Sequence, residues 1–131
     1  MGQPGAKQGD RVIATDIHVV MIPSPGGPVP TPLPHPFAGS LDGGLSADVN
    51  FDGKPAATRG STATNSPAHV PQGGPFQSPP GNRGEVMLGS TTVLVNGKPA
   101  ARNGDLVLTC NDPSDLPAGQ VIAVGTVLIG G

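Results

Sequence analysis

The feature that most constrains this chain is a segment that occurs twice, 44 residues apart. Val49-Asn50-Phe51-Asp52-Gly53-Lys54-Pro55-Ala56-Ala57 returns as Val93-Leu94-Val95-Asn96-Gly97-Lys98-Pro99-Ala100-Ala101, and each copy runs on to a glycine, Gly60 or Gly104. A partial third copy, Pro4-Gly5-Ala6-Lys7-Gln8-Gly9-Asp10, opens the sequence, and Val127-Leu128-Ile129-Gly130-Gly131 supplies a strand and turn at the other end. Bringing the two ends together completes a third unit. A repeat of this kind predicts a fold assembled from one small element used several times.

Within each unit a short apolar run meets Asp-Gly or Asn-Gly, the favoured signal of a two-residue hairpin turn. The alanines that follow are small enough for neighbouring backbones to approach. Pro55 and Pro99 suit an edge or a strand start, because proline donates no ladder hydrogen bond. Arg59-Gly60-Ser61 and Asn103-Gly104-Asp105 read as a second turn. No segment of ten or more residues has a helical apolar period, so the expected class is all-β with pseudo-threefold internal repeats, in one domain over residues 1–131.

Composition tests that expectation. With 21 glycines and 17 prolines in 131 residues, the chain enters the range where disorder is the usual reading. Disordered chains combine low hydrophobicity with high net charge, however, and the net charge here is only −2. Pro23 to Pro36 holds seven prolines in 14 residues, and Gly73 to Gly84 contains Pro75, Pro79 and Pro80. Both stretches read as long irregular loops, either linkers or loops stiffened by proline. No basic patch points to nucleic acid. No run approaches the ~20 apolar residues of a membrane helix, and the first residues lack a signal-peptide pattern.

A domain this poor in aromatic residues, with one cysteine and hence no internal disulfide, raises the question of what staples it. His18, His35, His69 and Cys110 match the residue types of a tetrahedral zinc site. His18 lies nine residues past Gly9, His69 nine past Gly60, and Cys110 six past Gly104, all counted from equivalent turns. If the repeats surround an axis, these positions converge at one end. His35 comes from the proline-rich stretch, between Pro34 and Pro36. Each residue also has a plainer reading: His18 as a packed histidine, His35 and His69 as solvated side chains, Cys110 as a small buried hydrophobe. The shared repeat phase favours ligation over four separate coincidences.

Gly89-Ser90-Thr91-Thr92-Val93-Leu94-Val95-Asn96-Gly97-Lys98-Pro99-Ala100-Ala101-Arg102-Asn103-Gly104-Asp105 resembles the signature of the PAAR family, named for its Pro-Ala-Ala-Arg motif. Pro55-Ala56-Ala57-Thr58 is a near copy without the arginine, and the ending Gly125 to Gly131 is also similar to the family's. The resemblance implies a small cone of short β-hairpins with long Pro/Gly-rich loops, holding one structural zinc near its apex through His18, His35, His69 and Cys110. It further implies a spike-tip protein that caps a trimeric β-helical spike of a contractile injection system, of the type VI secretion or phage-tail kind. One copy would sit on each trimer and sharpen it for membrane piercing. Val49, Phe51, Val93, Val95, Val127 and Ile129 would form or border the spike-facing base.

On that reading the protein is made in the cytoplasm, assembled at the tip of the apparatus and delivered outward, touching the target membrane transiently. A second role within the same machine is an adaptor for non-covalent effector cargo, carried on Met21–Leu45 or Pro71–Arg83. The rival from another class, a zinc hydrolase, needs an open metal position that four protein ligands would close. Glu85 is the only glutamate, and no nucleophile elbow or phosphate loop is present, so the expectation is no catalysis.

Overall fold

In the computed structural model, which describes residues 2–131, the repeated turns take the backbone that their sequences predict. Asp52 and Gly53 have φ of 51° and 80°, and Asn96 and Gly97 have 51° and 79°. Two consecutive positive φ values define the type I′ turn, which matches the twist of a hairpin and favours Asn or Asp followed by Gly. These turns join β4 (Asn50–Phe51) to β5 (Lys54–Pro55) and β8 (Leu94–Val95) to β9 (Lys98–Pro99). The third hairpin is made by the two ends of the chain, β1 (Gln3–Pro4) pairing with β12 (Leu128–Ile129). The missing third repeat is thus completed across the termini.

The three units then lock into a ring. Ala6 N–H donates to Ala101 O, Ala101 N–H to Ala57 O and Ala57 N–H to Ala6 O, at 2.9, 3.0 and 2.9 Å. Bridges Gly5–Arg102, Lys7–Ala56 and Thr58–Ala100 repeat the same cyclic order. Only small side chains let three backbones meet at an axis, and Ala6, Ala57 and Ala101 are fully buried there.

Past the turns at Gly9, Gly60 and Gly104 each unit enters an antiparallel pair. These pairs are β2 (Arg11–Ile22) with β3 (Val29–Gly43), β6 (Thr62–Asn65) with β7 (Arg83–Val86), and β10 (Leu106–Thr109) with β11 (Leu116–Ile122). Neighbouring pairs join through β3–β6, β7–β10 and β11–β2, closing a six-stranded barrel. Its interior is layered by threes: the ring alanines, then Val12, Ala63 and Val107, then Leu41, Val86 and Val121, all in one buried cluster. A second cluster of Phe51, Ala56, Val95, Ala100 and Ile129 lies on the hairpins. The ring separates these two cores, because alternate residues of the Ala-Ala pairs face opposite ways.

One expectation fails. Pro23 to Pro36 and the wider Met21–Leu45 region are not a long irregular loop, since residues 29–43 form the longest strand of the fold. The prolines fall at every second position, 30, 32, 34 and 36, and all are exposed, while Thr31, Leu33, His35 and Phe37 turn toward the interior. Ladder parity explains the tolerance. Ile17, Val19 and Met21, which stand opposite Pro34, Pro32 and Pro30, send their N–H groups away from β3, to Asn111, Asp112 and Pro75. Ala38, in phase with the prolines, bonds Asn65 and Ser66 on the side remote from β2. The absent proline donors would therefore all have pointed to the side of β3 where no described strand pairs with residues 29–37. The Gly73–Gly84 stretch does remain largely irregular, with single bridges such as Val20–Phe76.

Candidate metal centre

The strand alternation that fills the barrel also arms its far end. In β2 the inward positions run Val12, Ala14, Asp16, His18, Val20, so two polar side chains continue the face that began as core. Asp16 is 0% and His18 1% exposed. His35 stands directly across from Asp16 in the β2–β3 ladder and is also buried. His69 follows β6, and Cys110 follows β10 immediately. Equivalent turns in three repeats thus deliver His18, His69 and Cys110 to one volume.

Donor atoms of Asp16, His18, His69 and Cys110 all lie within 4.8 Å of one another, and all four residues are buried. His35 falls outside that tightest set but joins the group through its ring, whose centroid is 5.6 Å from that of His18 and 5.5 Å from that of His69. The His18 and His69 centroids are 5.0 Å apart. Three imidazoles binding one tetrahedral zinc at ~2.0–2.1 Å would place their centroids about 5 Å from one another. Phe76 packs over His18 and His35 at 5.8 and 5.3 Å, shielding this side.

The chemistry of the donors fits a cation. Neither ring nitrogen of His18 has a hydrogen-bond partner, although both are buried. The nearest carboxylate oxygen, of Asp112, is 3.6 Å from Nδ1, too far for a hydrogen bond. An unpaired buried imidazole is costly unless one nitrogen binds a metal. Burial, chiefly, lowers the pKa of His18, with His69 and His35 adding to it against the opposing charges of Asp112 and Asp16. Its lone pair is therefore available at neutral pH. His35 Nδ1 bonds the Leu33 carbonyl at 2.9 Å, which fixes the proton there and leaves Nε2 as the ligating nitrogen. Burial, with help from Asp16, raises the pKa of the Cys110 thiol, so metal binding must displace its proton. A cleft of about 550 Å³, lined by His18, Cys110, Arg83, Glu85 and Asp112 among others, gives access from the side.

Sequence reasoning missed Asp16. The signal that would have found it is the period of two in Arg11–Ile22, which puts an acid on the same inward face as His18. At the opposite end, Phe51, Val95 and Ile129 turn into the second core, while Val49, Val93 and Val127 pack half-buried against it. Between them Leu94 and Leu128 are each 61% exposed.

Fold and site together define a class: a single-chain, pseudo-threefold β-barrel on a ring of hairpins, with a buried cluster able to hold one metal ion. Residues 76–131 match the family described as PAAR motif. No curated protein matches the sequence.

Within the motif, Pro99-Ala100-Ala101-Arg102, each residue has a visible task. Pro99 closes a hairpin, Ala100 and Ala101 face the two cores, and the Arg102 guanidinium bonds Asp105 at 3.1 Å and the Gly130 carbonyl at 3.2 Å. Lys7 does the same with Asp10 and the Val124 carbonyl, whereas Thr58 and Ser61 replace the charged pair in the remaining unit.

Proposed function

We propose that this protein is the tip of a contractile injection machine, capping a trimeric β-helical spike with one copy and carrying a structural zinc that stiffens its point. The observation that carries the reading is the cyclic ring of Ala6, Ala57 and Ala101, with the three hairpins around it. A single chain with threefold backbone symmetry can present equivalent groups to all three subunits of a trimer at once. Oligomer contacts follow such symmetry, and a lone asymmetric chain on a trimer axis would satisfy one subunit at most. The hairpins also offer cover for the strand edges that a β-helix leaves at its end.

His18, His35, His69 and Cys110 would hold the zinc, and the ion would tie together segments from all three repeats. A narrowing apex has little room for a hydrophobic core, whereas structural zinc sites in small peptides are worth about 10–16 kcal/mol. No catalytic step is assigned to it, and delivery outside the producing cell follows from the same reading.

The test is to mix the purified protein with a trimeric β-helical spike protein of such a system and weigh the complex by native mass spectrometry. One copy per trimer is the expected result. No complex, or three copies per trimer, would overturn the capping role. Elemental analysis of the same preparation should give one zinc per chain.

A further inference from the structure

Asp16 is wholly buried, yet no lysine or arginine among the described residues pairs with it. Its surroundings are all polar donors from the site. Oδ1 accepts from the Thr109 hydroxyl at 2.5 Å and from Asn111 Nδ2 at 3.4 Å. Without an ion, Oδ2 accepts from His69 Nε2 at 2.9 Å and faces Cys110 Sγ at 3.6 Å, and an ion bound by these atoms would take the place of the shared protons. A buried carboxylate without a cation is among the most costly groups a fold can contain.

Thr109 and Asn111 flank Cys110 in sequence, so the segment that supplies the thiol also anchors Oδ1. Oδ2 is left turned to the other donors. That division suits a carboxylate whose one oxygen is fixed and whose other oxygen meets an ion.

We propose that Asp16 is a member of the metal centre, its Oδ2 a fifth donor beside the four side chains named above and its charge, with that of the Cys110 thiolate, balancing a divalent cation. This rests on the metal-site reading above. Three neutral imidazoles and one thiolate leave a divalent ion with one uncompensated positive charge in a buried volume, and Asp16 cancels it. The centre is then neutral for a divalent ion and charged for a monovalent or trivalent one, which selects the ion by charge as well as by donor type.

The test compares wild type with Asp16→Asn, which keeps shape and removes the charge. Zinc affinity is measured by competition with a chromophoric chelator, and cobalt(II) is substituted to report the donor set. Asp16→Asn should bind zinc about 10–100-fold more weakly, the range seen when groups supporting a site are lost. Its cobalt visible bands should shift while the thiolate-to-cobalt charge-transfer band is kept. A change in stability alone would leave the cobalt bands where they are. Unchanged affinity and an unchanged cobalt spectrum would overturn the proposal, and a wild type that takes up neither zinc nor cobalt would instead overturn the metal-site reading beneath it. Should Asp16→Asn fail to fold, Thr109→Val removes one anchor of Oδ1 and leaves every donor in place. It should weaken zinc binding in the same direction by a smaller factor, and no change there would equally overturn the role of Asp16.

Discussion

The two ends of this molecule are built on opposite principles. At the hairpin end the same element is used three times, and almost every backbone hydrogen bond has two counterparts. Gly9, Gly60 and Gly104 donate to Leu41, Val86 and Val121, and Gln8, Arg59 and Asn103 donate to Pro55, Pro99 and Pro4. At the metal end the three units diverge. One sends a hairpin of 12 and 15 residues past the site, another reaches it through a coil carrying His69, and the third stops at Cys110. Symmetry is kept where one element recurs and abandoned where four or five different side chains meet once. The ring is secured by local, redundant bonds, and the far end gathers its buried donors from all three units.

Chelation should therefore break the comparison most sharply. Removing a metal worth on the order of 10 kcal/mol should lower the thermal midpoint strongly. In hydrogen exchange the amides of 16–20 and 106–112 should lose protection while Ala6, Ala57 and Ala101 stay slow. Equal loss at both ends would show that the ring has no stability of its own.

Gly5→Ala probes the ring by itself. An added Cβ would sit 2.8 Å from a ring carbon of Phe51, the bulkiest of the three equivalents Phe51, Val95 and Ile129. Overpacking of this kind costs about 1–3 kcal/mol in a urea melt, and adding Phe51→Val should recover part of it. Additive losses in the double variant would refute the link between the missing methyl and the large ring. Arg102→Ala, which releases the Gly130 carbonyl and Asp105, should cost about 1 kcal/mol, since the pair is partly solvated.

The smallest effect expected is one of pH on the metal-free protein. Because the pKa of His18 lies below its ordinary 6.5 in the fold, the unfolded chain binds more protons in the interval between the two values. Stability is then complete above pH 6.5 and declines as pH falls through that interval. A His18→Gln variant should flatten this slope, and an unaltered slope would assign it to another group.

The symmetric end was legible in the sequence because its rules are local. Asp-Gly and Asn-Gly specify their own turns, and an offset between copies needs no knowledge of tertiary contacts. His18, His69 and Cys110 could be related to the same turns, since each lies six to nine residues beyond one of them. The long strand was hidden because proline ordinarily argues against a ladder, and only the pairing of Ile17, Val19 and Met21 on their other side reveals why four prolines are harmless. Asp16 was hidden for a related reason. A single acid in an apolar run looks like a surface residue until the run is known to be a barrel strand.

That row of prolines has a consequence for the protein among its own copies. The outer margin of β3 from residue 30 to 36 offers carbonyls at every second residue and nothing to give in return. A second molecule laid alongside would find no alternation of give and take on which to zip up. Copies of the chain held close together would consequently stay separate objects, kept from fusing into fibrils by what the margin lacks.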